Sequence, residues 1–424
     1  MLKSLIVIIL FFAFNLQAEP ILLKNADELI GLQTESTNQR TLLGNVVLQQ
    51  KNVIVKSHQA IQYINANNFL LNGNVIITQD SLILKSETIF YNGNSFTATS
   101  DKRVDLSDGK KKLIGDKGKY STQTMIANFY DNVKLEDDSL IVYADDITYN
   151  RKTSESFAYK NVVIKSKHQN IFAQADTIFN YAINNSTFAK SNPVLFQIDT
   201  NKELSSDTLI LFDTLTIKSD SILAKRDENI YYFYDNVEIV RNDLKAIAQQ
   251  GVYYKDAEKI ILYNPDLELK THSIIWLDST QLHADSIEIN LKENKLHTIH
   301  AYKNCIHISY TDTLNSFRID QLAGNEIIIY IRNDSLDKIE SIENAKSVFY
   351  TNSNTEPDGV VESTAEKITI YLRNGEVDEV LYIKSVPGKY HPEPFVTGKE
   401  KEFYLPNFTK KDNKPQKQEI KYRY

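Results

Sequence analysis

Side chains able to do chemistry recur along this chain at a fixed place in a repeated pattern. Ten small residues, Ser57, Ser86, Gly115, Ala144, Ala175, Ser206, Ala248, Ala284, Gly324 and Ala365, are followed directly by His58, Glu87, Asp116, Asp145, Asp176, Asp207, Gln249, Asp285, Asn325 and Glu366. Nine of these ten followers carry a side-chain carbonyl or carboxylate. A row of carboxylates could bind Ca²⁺, but calcium-binding solenoids use Gly-rich nonapeptides with closely spaced aspartates, and this chain has 13 glycines in 424 residues. Paired acids could also cleave polysaccharide. Because the acids keep step with the repeat, a structural role at a bend explains them. There the side chain would accept hydrogen bonds from backbone N–H groups freed by a broken ladder.

The remaining candidates are weaker. His297, His300 and His307 form the sole histidine cluster, but "HTIHAYKNCIH" mixes strand parities and has no recognised metal-ligand spacing. Cys305 is the single cysteine, so no intrachain disulfide forms, and its Ile- and Tyr-rich surroundings suit a buried small hydrophobe. The chain has no G-x-S-x-G, P-loop or dinucleotide fingerprint. No catalytic residue, metal site or cofactor is expected.

The elements that would position these residues are strands. In "SLIVYADDITYN", residues 139–150, the apolar positions Leu140, Val142 and Ala144 are even-numbered, whereas Ile147 and Tyr149 are odd. One face of a flat strand cannot take all five. The same phase change occurs in the other copies, with an apolar residue or Gly three positions after each small residue. A second marker alternates with the first: Asn45-Val46, Asn74-Val75, Asn132-Val133, Asn161-Val162, Asn236-Val237 and Asn304-Cys305. In the early units it follows the preceding small residue by 17 positions. Each unit therefore predicts two short strands, and the small-acid step predicts a crease that turns both halves of a strand toward one interior. A single unit of about 29 residues buries too few side chains to offset its ordering entropy, so the units must stack into an elongated β-structure.

Composition agrees with an all-β chain: 42% hydrophobic residues, 24 Tyr and 19 Phe against 9 Pro. A net charge of −7 with no basic domain argues against nucleic acid as a partner. Residues 1–18 read as a secretory signal peptide, with Lys3, an apolar run and Leu16-Gln17-Ala18 before Glu19. The repeat steps lengthen after residue 200, which divides the rest into an N-terminal half, 19–200, and a second half, 201–398. Residues 399–424 are basic and poor in apolar side chains, the composition of a disordered tail.

Repeats such as "LNGNVIITQDSLILKSETIFYN" and "YDNVKLEDDSLIVYADDITYN", in order after a signal peptide, resemble the OstA/LptA family of periplasmic lipopolysaccharide-transport proteins. The resemblance covers about residues 40–385. It implies an open β-jellyroll, or β-taco, here of about ten two-stranded repeats, whose apolar trough shields lipid A acyl chains without catalysis. Carried over position by position, it implies a lining of Leu84, Ile89, Val133, Val142, Ile147, Ile178, Leu209, Ile287, Ile327 and Ile368. It also implies a periplasmic location and lipopolysaccharide as partner. Further implied partners are other bridge proteins and the outer-membrane translocon through edge-strand pairing, with head-to-tail pairing of copies of the chain. The alternative is a structural or adhesive secreted β-repeat with a filled interior.

Overall fold

The computed structural model describes residues 19–33, 38–198, 214–265, 272–310, 315–353, 356–373, 375–384 and 386–419. Residues 1–18, read as the signal peptide, and Ser206, Asp207 and Leu209 lie outside the described residues. The fold is all-β, with antiparallel strands from Leu22–Asn25 to Val386–Pro392 and, among the described residues, only short 3₁₀ turns besides. Two compact units form: one runs to Asp138 and includes Asp146–Lys152, and the other holds Ser139–Asp145 and everything from Thr153. The division falls inside the strand Leu140–Asn150, not near residue 200.

Within each unit the chain meanders, and each long strand is creased. In the first unit, Asn38–Gln50 pairs with Val53–Tyr63, that strand with Asn68–Gln79, and that in turn with Leu82–Asn92. Every one of these pairings shifts register at its middle, as between Leu43 and Val46 or Asn72 and Val75. Two limbs result. We call them the tyrosine limb, which carries Tyr91 and Tyr120, and the glutamine limb, which carries Gln50 and Gln79.

The crease crosses both strands of a pair, but the strained backbone lies on the asparagine strand, not at the small-acid step. Asp131 and Asn132, Lys160 and Asn161, Asp235 and Asn236, and Lys303 and Asn304 all have positive φ. The pair opposes a single acid, as in a β-bulge: Tyr159 faces Thr177 and Val162 faces Ala175, leaving Lys160 and Asn161 opposite Asp176. Asn suits the position because its short side chain tolerates the left-handed region. On its other side each bulge meets the acid of the preceding strand, whose backbone N–H reaches the carbonyl of the first bulged residue, as Asp116 to Asp131 at 3.0 Å, Asp176 to Ser191 at 3.1 Å and Asp285 to Lys303 at 3.1 Å. Its carboxylate accepts a side-chain amide, not the backbone N–H expected from sequence. Asn132 donates to Asp116 at 2.7 Å, Asn161 to Asp145 at 2.8 Å, Asn236 to Asp220 at 2.8 Å and Asn304 to Asp285 at 3.0 Å.

Asp220 corrects the register of the repeat. The small-acid step paired with Asn236-Val237 is Ser219-Asp220, since Lys218 faces Glu238. Asn236→Val removes the amide and places a β-branched residue at φ 50°. We expect a loss of about 1–3 kcal/mol, read as a lower urea midpoint at unchanged slope.

The inner side of the crease is a file of interdigitated residues. Val46 faces Ser57, Val75 faces Ser86, Ser86 faces Val104, and Val104 faces Gly115. Alternating Val with a residue of at most two heavy side-chain atoms lets neighbouring strands close at native density. Cys305 takes a large-residue place in the second unit, facing Gly324. It is buried, and burial pushes its thiol up to about 12.

Residues 399–419 are not the disordered tail that their composition suggests. They form part of a strap over the outer face of the glutamine limb in the second unit. Gln281 and Gln321, both fully buried, grip it with their amides. Gln281 donates to the Thr409 carbonyl at 2.7 Å and accepts from Lys411 N at 3.0 Å. Gln321 accepts from Leu405 N at 2.8 Å, and Trp276 Nε1 donates to the Lys411 carbonyl at 3.1 Å. Phe403 and Leu405 pack on Val348, Val360 and Val396, and Phe408 packs on Ile306, Ile308 and Ile319. A few well-placed apolar residues and saturated backbone bonds thus order a segment whose average composition is polar. The matching sequence signal lies in the strands beneath. "SIIWL" and "CIHI" are apolar on both faces, as strands covered on both sides must be.

Candidate functional site: an apolar cavity between the limbs

The ten positions implied as lining are described in nine cases, and the structure brings four of them into one row. On the tyrosine limb of the second unit, Ile178 faces Ala158 and Ala189, Ile287 faces Leu262 and Ala301, Ile327 faces Ala301 and Ser341, and Ile368 faces Ser341. These belong to a single inward file. Ile89 holds the matching place in the first unit, facing Leu71, and Ile147 follows its crease by the same three residues. Leu84 lies instead on the glutamine limb, between Ile77 and Leu106, and Val133 lies in the crease file. Val142 is only half buried, whereas the other eight are buried.

Burial alone does not distinguish a lining from a core. What singles out one stretch is empty space. A cavity of about 300 Å³ opens between the limbs of the second unit, walled by Ile178, Ala189 and Ile222 from the tyrosine limb and by Ile171, Ala173 and Leu195 from the glutamine limb. Of the nine described lining residues, only Ile178 reaches it. The lining also includes polar side chains, among them Ser166, Gln169, Thr187 and Asn229. A mostly apolar wall with a few polar groups suits an amphiphile.

The reason for the opening is a change of side-chain size nearer the mouth. In the first unit the next inward file of the tyrosine limb reads Phe69, Tyr91, Ala98, Tyr120. The corresponding file at the cavity reads Ser156, Asn180, Thr187, Ala224. It regains bulk at Tyr231, which faces Ala224, and at Tyr253, whose ring stacks on Tyr231 at 6.0 Å. Burial pushes both hydroxyls up to about 12, so they stay protonated donors. This contrast is visible in the sequence as Tyr91, Tyr120, Tyr149 and Tyr253, each five residues after a small crease residue, and as Asn180 and Ala224 in the same place.

The histidines do not converge. His300 contacts Tyr302 and Glu326 on the outer face of the tyrosine limb, whereas His307 points inward from the glutamine limb between Leu282 and Leu322. Among the described residues, no group of three His, Cys, Asp or Glu side chains is placed to hold a metal. Burial pushes His307 down to about 4, and its Nε2 has no hydrogen-bond partner. The unfolded chain takes up this proton near pH 6.5 but the fold resists it until about pH 4. Stability is therefore whole above pH 6.5 and falls as pH drops toward 4, by about 3 kcal/mol from this group. His307→Leu should flatten that part of the pH dependence and raise the denaturation midpoint at pH 5.

Residues 18–174 match the family described as OstA-like protein. Among solved structures, the chain is similar to LptH of Pseudomonas aeruginosa, the LptA-homologous periplasmic component of the lipopolysaccharide transport device. That match has 14% identity and a TM-score of 0.22, and it covers 27% of this chain and 75% of the other. No curated protein matches the chain.

Proposed function

The chain is OstA-like over residues 18–174, and from that premise we propose that this lipopolysaccharide-transport-type protein shields lipid A acyl chains in the apolar space between its limbs. OstA/LptA proteins are non-catalytic transport proteins, and this chain is likewise not an enzyme. The observation that carries the reading is the cavity walled by Ile178, Ala189 and Leu195, with a mostly apolar lining. Acyl chains leaving water for it gain about 0.8 kcal/mol per buried methylene, so binding needs no chemical energy at this step. The periplasm is the compartment where such a carrier would work.

Edge strands supply the means of docking. Leu22–Asn25 and Glu28–Gln33 pair only with Asn38–Gln50, and Glu376–Ile383 and Val386–Pro392 only with Glu356–Arg373, among the described residues. Leu29, Ile30, Val377 and Leu381 are exposed there. Such edges suit strand addition by other bridge proteins, an outer-membrane translocon or a second copy of the chain.

The well-filled interior of the first unit favours a second reading, a structural β-repeat that carries no lipid. Incubating the purified full chain with radiolabelled lipopolysaccharide and separating the mixture by gel filtration decides between them. Label travelling with the protein supports transport. Label eluting only as free aggregate, with the protein folded, supports the structural reading.

A further inference from the structure

Three side-chain bridges, two of them buried and the third half-buried, cross between the limbs of the first unit, their tyrosines at 29-residue intervals. Tyr91 Oη donates to Gln50 Oε1 at 2.6 Å while Gln50 Nε2 donates to the Gly93 carbonyl at 2.9 Å. Tyr120 Oη donates to Gln79 Oε1 at 2.9 Å while Gln79 Nε2 donates to the Thr122 carbonyl at 2.8 Å. Tyr149 Oη donates to Asp108 Oδ2 at 2.7 Å. Each bridge ties the tip of the glutamine limb to the tip of the tyrosine limb, and Gln50, Gln79, Tyr91 and Tyr120 are all buried. Both ends of each glutamine amide are satisfied. Opening a bridge therefore strips hydrogen bonds from groups held in an apolar setting, where an unpaired polar group is costly.

The second unit repeats this device, among its described residues, where Tyr253 donates to Gln197 and Gln197 Nε2 donates to Asn294 Oδ1 at 2.8 Å. At the two preceding tyrosine places stand Asn180 and Ala224, and there the cavity opens. We propose that the tyrosine–glutamine bridges seal the interior of the first unit and confine acyl-chain loading to the unbridged file of Ser156, Asn180, Thr187 and Ala224 in the second. The inference rests on the lipid-carrier reading. It adds that the interior is not one open trough: Leu84, Ile89, Val133 and Ile147 are core, and Ile178 is contact surface.

The test uses the full chain and lipid A bearing a diazirine on one acyl chain, with labelled peptides located by mass spectrometry. The wild type should be labelled around Ile178, Ala189 and Ile222, at least tenfold above the peptides holding Leu71 and Ile89. A Gln50→Ala/Gln79→Ala variant should gain label at Leu71 and Ile89 and keep it at Ile178. Tyr120→Phe, a milder change, should show the same gain in smaller degree if the double variant does not fold. Asn180→Tyr/Ala224→Tyr should lose label at Ile178 at least tenfold. Equal wild-type labelling of both units overturns the seal and leaves the carrier reading standing. A folded bridge variant without new label also overturns it, and absence of label from the wild type overturns the carrier reading itself.

Discussion

Ala189→Phe should abolish lipid capture while leaving the protein at least as stable as the wild type. Ala189 is buried on the strand Ser186–Lys190, facing Ile178 on one side and Ile222 on the other, and it borders the cavity of about 300 Å³. A phenyl ring there fills space that no other side chain occupies, so overpacking strain stays small and buried apolar area rises. Cavity filling of this kind commonly adds about 0.5–2 kcal/mol. The same ring takes the volume that an acyl chain needs. Lipid recovered with the purified protein should fall at least tenfold while the thermal midpoint holds or rises. A substitution that weakened binding by unfolding the site would move both quantities down, so the opposite signs identify the cavity as the binding space.

Ending the chain after Pro392 should destabilise the second unit more than any single substitution. The strap supplies Val396, Phe403, Leu405 and Phe408 to two apolar clusters and closes both amide grips of Gln281 and Gln321. Its loss exposes Trp276, Ile308 and Val348 on the outer face and leaves two fully buried glutamines without their partners. At about 1.5–3 kcal/mol for each fully buried apolar side chain, the loss is a large share of the stability of an ordinary domain, reduced by the entropy regained by the freed segment. The truncated protein should aggregate on expression or melt more than 10 °C lower, by scanning calorimetry. A truncated chain with an unchanged midpoint would show that the strap is ornamental.

The legible part of this fold was its period. The phase change at Ala144-Asp145 and the Asn161-Val162 marker locate the crease to within one strand, because inward side chains must alternate and a broken alternation must be a bend. Which strand carries the strain was not legible from the acids. It follows from Asn161 and its counterparts, whose residue type tolerates positive φ. The copy assigned to Ser206 could have been set at Ser219 from sequence, since Asn236 lies 17 residues after Ser219, the spacing held by Ser57 and Asn74 or Ala144 and Asn161.

The site was harder to read. Apolar type marks both core and lining, so Leu84 and Ile178 look alike in sequence. The distinction lies in absent bulk at Asn180, Thr187 and Ala224, and residues that leave room give no positive signal of their own. The strap was missed because average composition describes a segment's solubility and not the surface it meets. Trp276, Gln281 and Gln321 belong to a face that the alternation rule assigns to solvent, and their burial needs a partner from outside the strand pattern.

The central claim, that the space between the limbs of the second unit holds acyl chains, is tested most directly by mass spectrometry of lipid bound to the full chain purified from an envelope extract, with Ala189→Phe prepared alongside. The account predicts a multiply acylated lipid released from the wild type and lost from the variant. A folded wild type that carries no acylated lipid, or a variant that carries as much as the wild type, would contradict it.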